Sequence, residues 1–103
     1  AMIQTVGIIG AGQMGNGIAH VAALAGFKVL LMDADPKAAD RALGIIDTNM
    51  ARQAARGRIT PEEHRLAMEQ ITLVPSLADM TDCFLVIEAA TEKETVKVAI
   101  FTE

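Results

Sequence analysis

Residues 6–19 read VGIIGAGQMGNGIA, an apolar strand running into a glycine-punctuated turn and then into the face of a helix. Few folds accommodate that order. Val6, Ile8 and Ile9 form the strand, Gly10, Gly12 and Gly15 supply G-x-G-x-x-G, and Ile18, Ala19, Ala22 and Ala23 continue as a helix face. Gly10 permits the tight turn off the strand. Gly12 lets a pyrophosphate approach the backbone, and Gly15 lets helix and strand pack closely. Amides near Gln13 and Met14, ahead of the first helical hydrogen bonds, would face the phosphates at the positive end of the helix dipole.

The context around the glycines decides what they are for. Residues 28–33, KVLLMD, read as a second apolar strand ending in an acid. Asp33 lies near the spacing of the residue that hydrogen-bonds an adenosine ribose, with Asp35 as a close competitor. The pattern predicts a βαβ unit of a Rossmann-type, doubly wound α/β fold with a parallel sheet. The alternative is a βαβ unit whose glycines only cap and pack, and which serves some other ligand.

Taken in order, residues 4–9 form the first strand, apolar on both faces as in a sheet covered on both sides. A helix over 13–25 stops at Gly26, a residue suited to a left-handed C-cap. Asp35-Pro36 starts a second helix, which ends near Gly57. Thr60 and Glu63 have the spacing of a capping box and open a third. Residues 71–74 read either as an edge strand joined by an abbreviated crossover or as a loop, and Ser76 to Met80 as a turn or single helical turn. Residues 83–88, CFLVIE, form another buried strand. From about Glu92 a final helix is expected, with Val96, Ile100 and Phe101 on one face.

Composition bounds the function classes. At 103 residues the chain is at most one domain, and its ending before any further strand resembles a truncation. A net charge of −4 gives no global attraction for nucleic acid or an anionic membrane, so anionic ligands must be held by local amides and a few cations. No apolar run approaches membrane-spanning length. The single Cys83 excludes an intrachain disulfide and reads as a buried, inert thiol in a reducing compartment. A cytoplasmic location is expected.

Arg52, Arg56 and Arg58 concentrate positive charge, the first two on one helix face. They suit either a second anionic ligand, gripped by guanidinium forks, or a solvated helix end complementing the dipole. Glu88 ends a strand at the carboxyl edge, where ligands bind in open α/β sheets. Ala89, small enough to let a ribose or nicotinamide lie against the backbone, follows with Glu92 and Lys97. His20 and His64 lack a partner spacing for a metal or a catalytic dyad, and no nucleophilic triad or metal-ligand set occurs.

The segments GIIGAGQMGNGIAHVAALAGFKVLLMD, ARQAARGRIT and DCFLVIEAATEKETVKVAIF resemble the NAD-binding domain of the L-3-hydroxyacyl-CoA dehydrogenase family, most closely its bacterial 3-hydroxybutyryl-CoA members. The resemblance covers essentially the whole chain. It implies that Gln13 and Met14 offer amides to the pyrophosphate and that Asp33 holds the ribose, favouring NAD over NADP. It also implies that Ala89, Glu92 and Lys97 line the nicotinamide end. Arg56 and Arg58 fall where the family places a basic residue against the CoA phosphates, although this chain has Arg and Ala where relatives often have Lys.

The family's catalytic His and its orienting Glu come after residue 103, as do the substrate-contacting Ser and Asn and the helical, dimer-forming domain. The resemblance therefore implies an inactive fragment with no catalytic residue of its own. The whole enzyme it implies is a homodimer of fatty acid metabolism that reversibly oxidises a 3-hydroxyacyl-CoA. The rivals are a dehydrogenase of a non-CoA hydroxy acid, such as a gulonate or hydroxyisobutyrate type, and a non-catalytic nucleotide-binding module.

Overall fold

A computed structural model describes residues 4–90 and 95–100, with side chains through Ala89. Five strands form one sheet: β1 Thr5–Ile9, β2 Lys28–Met32, β3 Ile71–Leu73, β4 Leu85–Ala90 and β5 Thr95–Ile100, in the order β3-β2-β1-β4-β5. Strands β1 to β4 are mutually parallel, and β5 is antiparallel to β4. Three helices connect the first strands: α1 Gln13–Leu24 between β1 and β2, and α2 Pro36–Ala55 followed by α3 Pro61–Glu69 between β2 and β3. This is the Rossmann-type α/β arrangement.

Alternation along the strands sorts the core into two layers. Val6, Ile8, Val29, Leu31 and Ile71 face the helices and are buried with Ala19, Ala23, Ala42, Ile46 and Met50. Ile9, Leu30 and Met32 face the other way, packing against Met80, Cys83 and Val86. That second layer needs Gly7: a Cβ there would stand 2.8 Å from Met80 Sδ and 3.0 Å from Cys83 Sγ. The helix layer is built on alanine because closely laid helices leave little room for aromatics.

Local chemistry places the helix ends. Phe27 N–H donates to Ala22 O and Gly26 N–H to Ala23 O, both at 3.1 Å, with Gly26 at φ +97°. This paired pattern is a Schellman stop. Asp35 Oδ1 accepts from Lys37 N–H at 3.0 Å and caps α2. Thr60 Oγ1 accepts from Glu63 N–H at 3.0 Å while Glu63 Oε1 accepts from Thr60 N–H at 2.7 Å, completing the expected capping box.

Two readings are settled and one is corrected. Residues 71–73 are the edge strand β3, and the chain crosses from there to β4 through a 3₁₀ turn at Leu77–Met80. The helix expected from about Glu92 is instead a strand over Thr95–Ile100, and Glu92 itself lies outside the described residues. Four of its six residues, Thr95, Val96, Val98 and Ile100, are β-branched, stiff at χ1 and favoured in strands. The outer edge of β4 carries unpaired backbone groups that this strand satisfies, in the register Glu88 to Lys97 and Ala90 to Thr95.

Candidate functional site

The glycine loop leaves β1 at the carboxyl edge of the sheet, between the ends of β2 and β4. Gly10 takes φ +102°, the left-handed region that favours glycine. A Cβ on it would stand 2.3 Å from the carbonyl oxygen of Ala89, so β4's backbone closes one side of the turn. On the other side Gly10 N–H donates to Met32 O at 2.8 Å. A Cβ on Gly15 would stand 1.8 Å from Gly10 O, which forces glycine where α1 crosses the loop.

Gly12 is the N-cap of α1, with no side-chain cap and no acid in the first turn. The first helical bond there runs from Asn16 N–H to Gly12 O at 2.9 Å. The amides of Gln13, Met14 and Gly15 precede it and have no acceptor within the helix. An anion at this end finds free donors, a favourable dipole and no acid in the helix's own first turn.

Asp33 follows β2 and points back at the loop. Its Oδ2 accepts from Ala11 N–H at 2.7 Å and its Oδ1 from Asp35 N–H at 2.9 Å. Asp35 is occupied elsewhere, capping α2 and lying 3.9 Å from Arg41. The two acids are thus divided between glycine loop and helix start. A shallow cleft of about 300 Å³ adjoins Asp33, walled by Ala34, Pro36, Ala39, Leu73 and Val74. An adenosine needs such an apolar slot beside a hydroxyl acceptor. The donor set, the glycine cradle and this acid together fit a dinucleotide.

Other expected residues separate. Ala89 is buried against the loop at 4% exposure. Lys97 is the cross-strand partner of Glu88 on β5. Arg56 ends α2 as its C-cap, with Gly57 at φ +74°, and Arg58 follows; both are exposed. His20 and His64 serve structure: His20 Nε2 bonds Gln53 Oε1 at 2.7 Å, and His64 Nε2 bonds Asp47 Oδ1 at 2.6 Å. Cys83 is buried, and burial first, then the neighbouring Asp82 carboxylate, pushes its thiol above the ordinary range. Among the described residues no cluster of His, Cys, Asp and Glu could hold a metal, and no helix is long and apolar enough to cross a membrane.

Sequence reasoning missed a groove of about 550 Å³ on the helix side of the loop. Ala11, Gly12, Gln13 and buried Asn16 line it with Ile45 and Asn49 of α2. The one local signal was Asn16, a polar residue set between Gly15 and Gly17 on a helix face otherwise built of small apolar groups. Ile45 and Asn49 arrive only by tertiary packing.

Comparison with known proteins meets this geometry. The family described as 3-hydroxyacyl-CoA dehydrogenase, NAD binding domain, matches residues 5–103. A 3-hydroxybutyryl-CoA dehydrogenase of Bradyrhizobium diazoefficiens is 50% identical over 103 residues, 100% of this chain and 35% of that protein. The solved 3-hydroxybutyryl-CoA dehydrogenase of Escherichia coli K12 superposes with a TM-score of 0.83 at 38% identity, over 89% of this chain and 20% of that one. The (S)-3-hydroxybutyryl-CoA dehydrogenase of Ralstonia eutropha gives 0.82 at 35%, over 88% and 32%. The chain thus spans about a third of the length of the B. diazoefficiens relative. It belongs to the NAD-binding domain family of the 3-hydroxyacyl-CoA dehydrogenases, and NAD is the cofactor its glycine loop and Asp33 fit.

Proposed function

We propose that this chain is the dinucleotide-binding part of an enzyme that reversibly oxidises (S)-3-hydroxyacyl-CoA, 3-hydroxybutyryl-CoA foremost, to the 3-ketoacyl-CoA. The observation that carries the reading is the Asp33–Ala11 hydrogen bond at 2.7 Å. It joins Asp33 to the glycine loop at one sheet edge, which supports reading the acid as the ribose acceptor and the loop as the phosphate cradle. NAD, when bound, supplies the hydride acceptor.

The chain's own residues bind and orient. Gln13 and Met14 offer main-chain amides to the pyrophosphate, Asp33 accepts from the adenosine ribose, and Ala89 keeps the wall beside Gly10 low. Glu92 and Lys97 belong with the nicotinamide end in this proposal. Arg56 and Arg58, exposed and two residues apart across a glycine turn, contact the phosphates of CoA. On the family's pattern, the His that takes the hydroxyl proton and the Glu that orients it lie in the part of the relatives that this chain does not span. So does the helical domain through which a homodimer would form. A cytoplasmic location and a place in fatty acid metabolism belong to the same proposal.

The test is NADH oxidation by the full-length protein with acetoacetyl-CoA, with free acetoacetate as the control. Turnover with the CoA ester alone is expected. Turnover with the free acid would favour a dehydrogenase of a non-CoA hydroxy acid. NADH binding without turnover of either would leave a nucleotide-binding module.

A further inference from the structure

The apolar anchoring of α2 stops short of the arginines at its C-terminal end. Its buried residues are Ala39, Ala42, Ile46 and Met50, and the next apolar residue after the helix packed against the core is Ile59. Arg52, Arg56 and Arg58 all lie in the interval between these anchors, exposed. Gln53 ties that interval down twice. Its side-chain Oε1 accepts from His20 Nε2–H at 2.7 Å, and its main-chain oxygen accepts from Arg58 N–H at 2.9 Å. The second bond, with Gly57 N–H to Ala54 O at 3.0 Å, is the Schellman pair that turns the chain at Gly57.

His20 belongs to α1, the helix whose first turn meets the dinucleotide. We infer that His20 and Gln53 are a positioning pair, fixing the arginine turn for the CoA phosphates relative to the cofactor helix. The inference rests on the assignment of Arg56 and Arg58 proposed above. Neither residue touches substrate or cofactor. One side-chain bond sets the azimuth of the last turn of α2, and the main chain passes that setting on to Arg58.

The test uses the full-length protein and measures KM for acetoacetyl-CoA and for NADH. His20→Ala and Gln53→Ala should each raise the acyl-CoA KM about threefold to tenfold, the cost of one net hydrogen bond. The NADH KM should stay unchanged. The double variant should be no worse than either single one, and His20→Gln, which keeps a donor, should recover most of the loss. Gln53→Ala sits on a helix that favours alanine and keeps the test open should His20→Ala fold poorly. An unchanged acyl-CoA KM in both variants, with Arg56→Ala raising it, would overturn the positioning pair alone. No effect in any of the three would overturn the arginine assignment with it. Equal rises in both KM values would mean a general loss of structure and would also overturn the pair.

Discussion

Asp33 Oδ2 accepts a hydrogen bond from Ala11 N–H at 2.7 Å, joining the end of β2 to the glycine loop across 22 residues of sequence. The same carboxylate thus holds the loop and, in the function proposed above, accepts from the ribose. Asp33→Ala should weaken both NADH and NADPH binding, because the loop loses its tether. The loss for NADH should be larger, by about tenfold or more, since hydrogen bonds to a charged acceptor contribute about 1.5–3 kcal/mol. Fluorescence titration with each nucleotide checks this; equal losses would show that Asp33 does not read the ribose.

Gly15 and Gly17 lie on the same helix yet should respond oppositely to alanine. A Cβ on Gly15 meets Gly10 O at 1.8 Å, while one on Gly17 meets nothing within 4 Å. Gly15→Ala should displace the loop, abolish NADH binding and lower Tm. Gly17→Ala should gain up to about 1 kcal/mol of helix propensity and raise Tm. Thermal melts of the two variants side by side decide it.

Cys83 couples stability to alkaline pH. Its folded-state thiol is raised by burial, so the unfolded chain ionises first as pH increases. The contribution is complete below the ordinary thiol range and is lost as pH rises through the folded value. Urea unfolding midpoints should therefore fall with alkaline pH more steeply in the wild type than in Cys83→Ala. A thiol reagent should label the native protein slowly and the unfolded protein at once.

The helix layer depends on a few large side chains among many alanines. Ile46 and Met50 are fully buried. Truncating either to Ala should cost about 2–5 kcal/mol, because alanine-lined surroundings cannot collapse far into the gap. Thr60→Ala, which removes only one arm of the capping box, should cost about 1 kcal/mol. Denaturant titrations of the three variants rank them.

The features readable in the sequence are those set by neighbours along the chain. The glycine spacing, the Asp35 and Thr60 caps and the stops at Gly26 and Gly57 each depend on a few consecutive residues, and the structure shows these elements. Residues 95–100 are the counter-example. Val96 and Ile100 are spaced for a helix face, but the open edge of β4 and four β-branched residues decide for a strand, and that edge is remote information. The same holds at the site. The spacing of Asp33 is local, whereas its partner Ala11 arrives only once β1 and β2 pair, and the Asn49 wall of the groove and the His20–Gln53 bond exist only once the helices pack.

The loop turning at Gly10 is held by main chain on both flanks: Met32 O accepts from its amide, and Ala89 O fills the space that a Cβ would take. Side-chain exchange in the adjoining strands leaves these partners in place as long as the strands keep their register. The hexapeptide is correspondingly poor cargo for transplantation. Moved into another scaffold with β1 and α1 alone, it would leave behind the strand ends of β2 and β4, and with them the shape that a phosphate recognises.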